Sequence, residues 1–274
     1  MPPLQSLEVA VNADRFGFAE VWIGEMASYD AFALAAAAAR ETRRASLWIG
    51  ALSPAIRDPV SLALGVNSVS ILGGRPAHLA LGSSTATIVR KWHGREWGGN
   101  LERVAESIGA LRALLAGERG PGGFRLRSAV PGTQIGLAAF GPRMVDVASR
   151  LADRLLLNLL TPAQVAQFRA RTRLPITVWV PAGLDPGAAT LEQVVRELRG
   201  YLAAPAYAAM FRQAGLSEPA EIAAAVSALG DLSAVRERIA EYHAAGATTV
   251  ALVPVTAEDA GGEGLLRALG GKAE

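Results

Sequence analysis

The sequence predicts an α/β protein of the (β/α)8 barrel class, read as one domain over residues 1–274 with its first strand missing or truncated. Three observations carry that expectation. Short apolar runs alternate with helical patterns along nearly the whole chain, which is the signature of parallel strands joined by crossover helices. Most runs are apolar on both alternating faces, as strands covered on both sides require. No shift in composition and no Pro/Gly/Ser-rich linker divides the chain.

The strand candidates in order are 19–24 (AEVWIG), 46–52 (SLWIGAL), 77–82 (AHLALG), 134–140 (QIGLAAF), 154–159 (RLLLNL), 176–181 (ITVWVP) and 248–253 (TTVALV). Helical periodicity falls near 4–15, 31–43, 59–72, 101–116, 142–151, 162–172, 190–203 and 232–245. Asp58-Pro59, Gly141-Pro142 and Thr161-Pro162 each set a capping residue before a proline at the first helical position, where the missing N–H costs nothing. Thr161 with Gln164 also fits a capping box. Seven strands leave a barrel one short. The chain opens on a helical pattern (Leu4, Leu7, Val11), and Pro2 and Pro3 remove ladder donors, so the expectation is a start downstream of the functional one or an edge covered by another segment or subunit. Residues 204–230 read as an insertion with helical content, a possible lid.

Composition removes many functions. The chain has 51% apolar residues and a net charge of +2, incompatible with intrinsic disorder. It has no cysteine, so disulfides, thiolate metal sites and Cys nucleophiles are excluded. Its three histidines (His78, His93, His243) are far apart and form no HExxH, so no metal is expected. The longest wholly apolar stretch, Ala31–Ala39, is nine residues, too short to span a bilayer, and the N-terminus has no signal-peptide pattern. The expectation is a cytoplasmic protein that engages neither membrane nor nucleic acid. Dinucleotide-binding GxGxxG, P-loop and G-x-S-x-G signatures are absent.

Phosphate chemistry at strand ends remains. Barrel ligands sit at the C-terminal ends of the strands. The fourth run passes into Phe140-Gly141-Pro142-Arg143-Met144, a glycine turn opening a helix, where backbone N–H groups, the helix dipole and a guanidinium make an anion site. The third run ends Gly82-Ser83-Ser84-Thr85, whose hydroxyls and amides suit further phosphate or ribityl oxygens. Taken singly, each segment also reads as an ordinary helix start or loop.

At this point the residues resemble a known family. Phe16-Gly17-Phe18-Ala19-Glu20-Val21-Trp22 is similar to the entry into the second barrel strand of luciferase-like monooxygenases. Arg57-Asp58-Pro59, Ile71-Leu72-Gly73-Gly74-Arg75, Leu79-Ala80-Leu81-Gly82, Trp92-His93-Gly94, Gly141-Pro142, Ala152-Asp153 and Tyr242 to Gly246 continue the resemblance in order over about residues 4–254. Leu156-Leu157-Asn158 with Thr161-Pro162 resembles the coenzyme F420-dependent branch. The resemblance implies F420, or alternatively FMN, across the C-terminal mouth. The ring would rest on Gly50, Ala51 and Leu52, where members often have a bulge with a non-proline cis peptide. The phosphate end would lie at Gly82, Ser83, Ser84 and Thr85 and at Gly141, Pro142, Arg143 and Met144.

Two departures from the family pattern matter. Sugar-phosphate-oxidising members have an acidic residue followed by His where this chain has Glu25-Met26, and a Glu where it has Thr85. A reductase acting on a hydrophobic or conjugated C=C, C=O or C=N substrate therefore fits better than sugar-phosphate oxidation. The alternatives are an FMN-dependent monooxygenase using O2 and a barrel that binds cofactor without turnover. Glu25 and Tyr29 are the candidate catalytic residues; an ion pair with a neighbouring arginine is the competing role for Glu25, and packing on the rim for Tyr29. Met26, Trp92, His93 and Phe140 are the candidate substrate contacts. Arg57, Arg90 and Arg95 suit the anionic tail of F420. The partners expected are a small-molecule substrate and, as is common among similar proteins, a second copy of the chain in a homodimer.

Overall fold

The computed structural model describes residues 1–25 and 27–270, which fall into two compact units, Pro2–Leu156 and the chain from Leu157 onward. In the first unit, α1 (Pro3–Arg15), β1 (Glu20–Ile23), α2 (Ala31–Glu41), β2 (Ser46–Leu52), α3 (Pro59–Gly73), β3 (Ala77–Leu81), α4 (Asn100–Leu115), β4 (Ile135–Ala138) and α5 (Pro142–Leu151) lead into β5 (Arg154–Asn158). The strands hydrogen-bond in sequence order, all parallel. One face carries Val21, Ile23, Leu47, Ile49, Leu79, Leu81, Ile135, Leu137 and Leu155, all buried. The alternate face carries Glu20, Trp22, Trp48, His78 and Arg154, as the two-residue period of a strand demands. Residues before Leu7 lie in or before α1 and enter no strand.

The second unit contains the end of β5, α6 (Pro162–Arg169), β6 (Ile176–Leu184), α7 (Ala188–Leu202), α8 (Pro205–Gln213), α9 (Pro219–Val226), β7 (Ala228–Gly230), α10 (Leu232–Ala244), β8 (Thr249–Pro254) and α11 (Glu263–Leu269). The nine-residue β6 pairs in parallel with both β7, at Ala182–Leu184, and β8, at Thr177–Ala182. Tyr242 is fully buried and its hydroxyl reaches the Leu160 and Val226 carbonyl oxygens at 2.8 and 3.0 Å, tying α10 to the ends of β5 and α9.

All seven strands expected from the sequence form. An eighth, β7, does not announce itself: it is three residues long and directly follows α9 within the segment read as an insertion. Two of the three expected caps form as well, while Gly141 offers the start of α5 no side-chain oxygen. Asp58 accepts from the Ser61 amide, and Thr161 and Gln164 complete a capping box.

Asp14 at the end of α1 joins that helix to the entry of β2. Its carboxylate accepts from the backbone amides of Arg43, Arg44 and Ala45 at 3.0, 2.7 and 2.7 Å. Burial alone would raise the Asp14 pKa, but those three amides and the Arg44 charge outweigh it and hold the carboxyl below its ordinary value. A depressed pKa contributes stability above the unfolded value near 4, and that contribution is lost as pH falls through the folded pKa. Asp14→Ala is expected to cost about 2–3 kcal/mol at neutral pH in urea denaturation, and to flatten the loss of stability below about pH 4.

Candidate functional site

The inner face of the first unit is built in two layers. The lower one is aromatic and charged. Trp22, Trp48 and His78 occupy one row of the register. The two indoles stack at 4.7 Å with 14° between planes, and His78 lies 4.7 Å beyond Trp48. The Arg154 guanidinium sits 4.6 Å from the Trp48 ring centroid and donates to both Glu20 carboxylate oxygens at 2.8 Å, while Trp22 Nε1 donates to Glu20 at 3.1 Å. This is a largely buried pair, in which each charge depends on the other. The His78 Nδ1 accepts from the Gln134 amide at 3.0 Å. Burial, with the Arg154 charge behind it and Asp153 opposing, pushes the His78 pKa down to about 4.

The upper layer, at the C-terminal strand ends, is small. Gly50 has φ +137°, and a Cβ there would stand 2.1 Å from the Ala80 carbonyl oxygen. The Gly50–Ala51 peptide is cis, in a bulge between Ile49 and Leu52, at the position that the family resemblance implied. A Cβ on Gly82 would meet the Ala51 and Ala138 methyls at 3.2 and 3.6 Å. Ala51, Gly82 and Ala138 thus line three adjacent strand ends with a cradle that one added side chain would fill.

The turns beyond this cradle leave neighbouring strands in the same direction, because Leu81 of β3 pairs with Leu137 of β4. The Ser53 hydroxyl donates to the Ser83 carbonyl at 3.2 Å, Ser84 is left-handed at φ 64°, and the Thr85 hydroxyl caps the Ile88 amide of a short helical turn, Ile88–Trp92. Gly141 precedes α5, and Arg143 is exposed. Asp30, Asp58, Thr161, Glu258 and Asp231 supply oxygens to the first turns of α2, α3, α6, α7 and α10. Gly141 has no side chain to do this for α5, whose N-terminal amides and dipole are therefore suited to an external anion. In the first turn of α4, Arg103 buries Nη1 without a hydrogen-bond partner among the described residues. No sequence motif singled it out, since only the packing of α4 reveals the orphaned donor.

The remaining candidates are distributed less favourably. Arg57 donates to Glu25 at 2.5 Å and also to Asp30, so it is held at the exit of β1 rather than offered to an anionic tail. Two flanking carboxylates decide this. The Tyr29 hydroxyl lies 3.3 Å from that of Ser6. Trp92 is 60% exposed, His93 is exposed and Phe140 is half-buried. Met26 lies outside the described residues. Arg90 and Arg95 are exposed. Among the described residues no cluster of His, Asp or Glu suits a metal ion, and no helix is long and apolar enough to cross a membrane.

Parallel strands with crossover helices, carrying a small-residue cradle and an uncapped helix start at the strand ends, define an α/β barrel. The luciferase-like monooxygenase family model matches residues 2–249, and the chain belongs to that family. Over 170 residues it is 28% identical to a 5,10-methylenetetrahydromethanopterin reductase of Methanolobus tindarius, a match covering 59% of this chain and 52% of that relative. The chain therefore spans about half the length of the curated relative it matches. Its structure is similar to that of an F420-dependent secondary alcohol dehydrogenase in complex with an F420-acetone adduct (TM-score 0.80, 17% identity, 98% of this chain and 94% of the other). It is also similar to the coenzyme F420-dependent tetrahydromethanopterin reductase of Methanopyrus kandleri (TM-score 0.72, 17% identity, 99% and 95%). An FMN complex of the oxygenating constituent of 3,6-diketocamphane monooxygenase from Pseudomonas putida follows (TM-score 0.71, 15% identity, 98% and 91%). The fold class is the luciferase-like TIM barrel.

Because folded His78 resists protonation and unfolded His78 does not, stability is fully present above about pH 6.5 and falls as pH drops toward 4. The wild-type chain is expected to lose up to about 3 kcal/mol from this group over that window, and His78→Asn to flatten the slope in urea titrations at stepped pH. Arg154→Met should cost about 3 kcal/mol by stranding Glu20, whereas the double change Glu20→Met/Arg154→Met should recover most of it in the same assay.

Proposed function

We propose that the chain is an F420-dependent oxidoreductase, passing hydride between the deazaflavin and a hydrophobic or conjugated C=C, C=O or C=N substrate. The observation that carries this reading is the Ala51–Gly82–Ala138 cradle beside the uncapped start of α5. A planar ring needs walls without side chains to lie against the backbone, and a phosphate needs clustered amides with a cation. Ser83, Ser84 and Thr85 on one turn and Gly141, Pro142, Arg143 and Met144 on the next would hold the phosphate end, with Arg143 as the cation. Gly50, Ala51 and Leu52 would receive the ring. The reductase relative and the F420 enzymes of the same fold support this choice of cofactor. The bound deazaflavin supplies hydride at its C5, and the protein supplies position and electrostatics. Glu25 and Tyr29, at the exit of β1, are the positions proposed to handle the proton, and Trp92, His93, Phe140 and Met26 are the proposed substrate contacts.

The fold is shared with FMN monooxygenases, which makes an FMN- and O2-dependent reaction the second reading. Titration of the chain with F420 and with FMN separates them. F420 is expected to bind, and Gly82→Val and Arg143→Ala to raise its Kd about tenfold or more, roughly the loss of one good charged or shape contact, with the melting temperature of Arg143→Ala little changed. Binding of FMN with oxygen consumption on reduction would favour the second reading. Unchanged F420 affinity in both variants would remove the cradle from the site.

We also propose that the chain pairs with a second copy through α3. That helix carries no charged residue between Pro59 and Gly73, and Leu64, Ile71 and Leu72 are 45%, 53% and 46% exposed on it. An uncharged face of this kind is self-complementary about a two-fold axis. Light scattering after size exclusion should give a dimer for the wild type and a folded monomer for Leu64→Arg/Ile71→Arg; a dimeric double variant would exclude this face.

A further inference from the structure

The second unit holds a cavity that none of the residues assigned above lines. It lies at the C-terminal ends of β5, β6 and β8 against α7, and its volume of about 50 Å3 has room for several waters or the head of a small molecule. Leu159, Val194 and Leu198 make its walls largely apolar, and three polar side chains interrupt them: Asn158, Glu197 and Tyr201.

Those three groups have distinct chemistry. Asn158, the last residue of β5, donates from Nδ2 to the Tyr207 hydroxyl on α8 at 2.9 Å, and the Tyr207 and Tyr201 rings lie 5.0 Å apart. Burial around the Tyr201 hydroxyl and the Glu197 charge raise its pKa, while a hydrogen bond from Asn158 opposes the rise. Tyr201 is therefore a neutral phenol at any physiological pH. A phenol oxygen that accepts from an amide keeps its own proton to donate. Glu197, bonded to the Gln193 amide at 2.9 Å, places a carboxylate on the same wall. A second anion beside it would meet like charge at the cavity mouth.

We propose that this cavity binds the carbonyl end of a small uncharged molecule, with the Tyr201 hydroxyl as donor, the Asn158 amide holding that phenol in place, and Glu197 disfavouring carboxylates. The use of that molecule as a hydride acceptor rests on the oxidoreductase reading above; its binding does not. A ketone or aldehyde oxygen accepts the proton that the Tyr201 hydroxyl keeps to donate, and an alkyl group matches the Leu159, Val194 and Leu198 walls. A free acid of the same size offers the same oxygens but carries the disfavoured charge.

Butanone and butyrate are a matched pair of probes for ligand-observed NMR titration of the full chain without cofactor. Butanone is expected to bind at least about tenfold more tightly than butyrate, Tyr201→Phe to weaken butanone about fivefold or more, and Glu197→Gln to narrow the gap by admitting butyrate. Tyr201 sits at the last turn of α7 and is 41% exposed, so the loss of one oxygen leaves the fold intact. Equal affinity for the two probes, no detectable butanone binding, or unchanged butanone affinity in Tyr201→Phe would overturn the assignment. An F420 titration of the same sample keeps the two ideas apart. A chain that binds F420 but not butanone loses only this site, and one that binds butanone but not F420 loses the redox reading.

Discussion

The candidate site depends on one close approach between backbones. At Gly50 there is room for a hydrogen and nothing larger, because the Ala80 carbonyl oxygen of the next strand occupies the place a methyl would take. The bulge that follows brings Ala51 to within van der Waals reach of the Gly82 position, and Gly82 in turn to Ala138. Three adjacent strand ends are thereby left without side-chain bulk on one face. A planar ligand lying on that face would meet methyl groups and backbone and no larger side chain.

Below that gap the sheet is held by electrostatics of the opposite character. Arg154 and Glu20 are partly sequestered with two indoles and His78 around them, so each charge is compensated by the other and by the ring faces. On β2, Trp48 of the floor and Ala51 of the cradle are three residues apart, and on β3 His78 stands four residues before Gly82. The cradle is thus placed by register against the floor below it. The turns that follow inherit this placement, because parallel neighbours must release their chains at the same end of the sheet.

Much of this was legible in the sequence. Strands covered on both faces are continuous apolar runs, and all seven such runs form strands. Proline-marked caps fell at Asp58, Gly141 and Thr161 because the chemistry of a helix start is local. Gly82–Thr85 was legible as a strand end rich in small hydroxyls, and Gly50–Leu52 only through family resemblance. What remained hidden is long-range. Glu20 and Arg154 are 134 residues apart, and neither looks special alone. Ala138 joins the cradle only through β3–β4 pairing, and Arg103 is notable only because its Nη1 is buried. Asn158, Tyr201 and Tyr207 come together from a strand, a helix and the segment read as an insertion. An arginine partner for Glu25 was legible, but that Arg57 meets both Glu25 and Asp30 follows only once β1 and α2 are in place.

The most direct test of the account is a crystal structure of the chain grown with F420. The deazaflavin ring is predicted to lie against Ala51, Gly82 and Ala138, with its phosphate within hydrogen-bonding distance of the Ser83–Thr85 turn and Arg143. A ring bound away from those three residues, or a phosphate held by a different pair of strand ends, would contradict it.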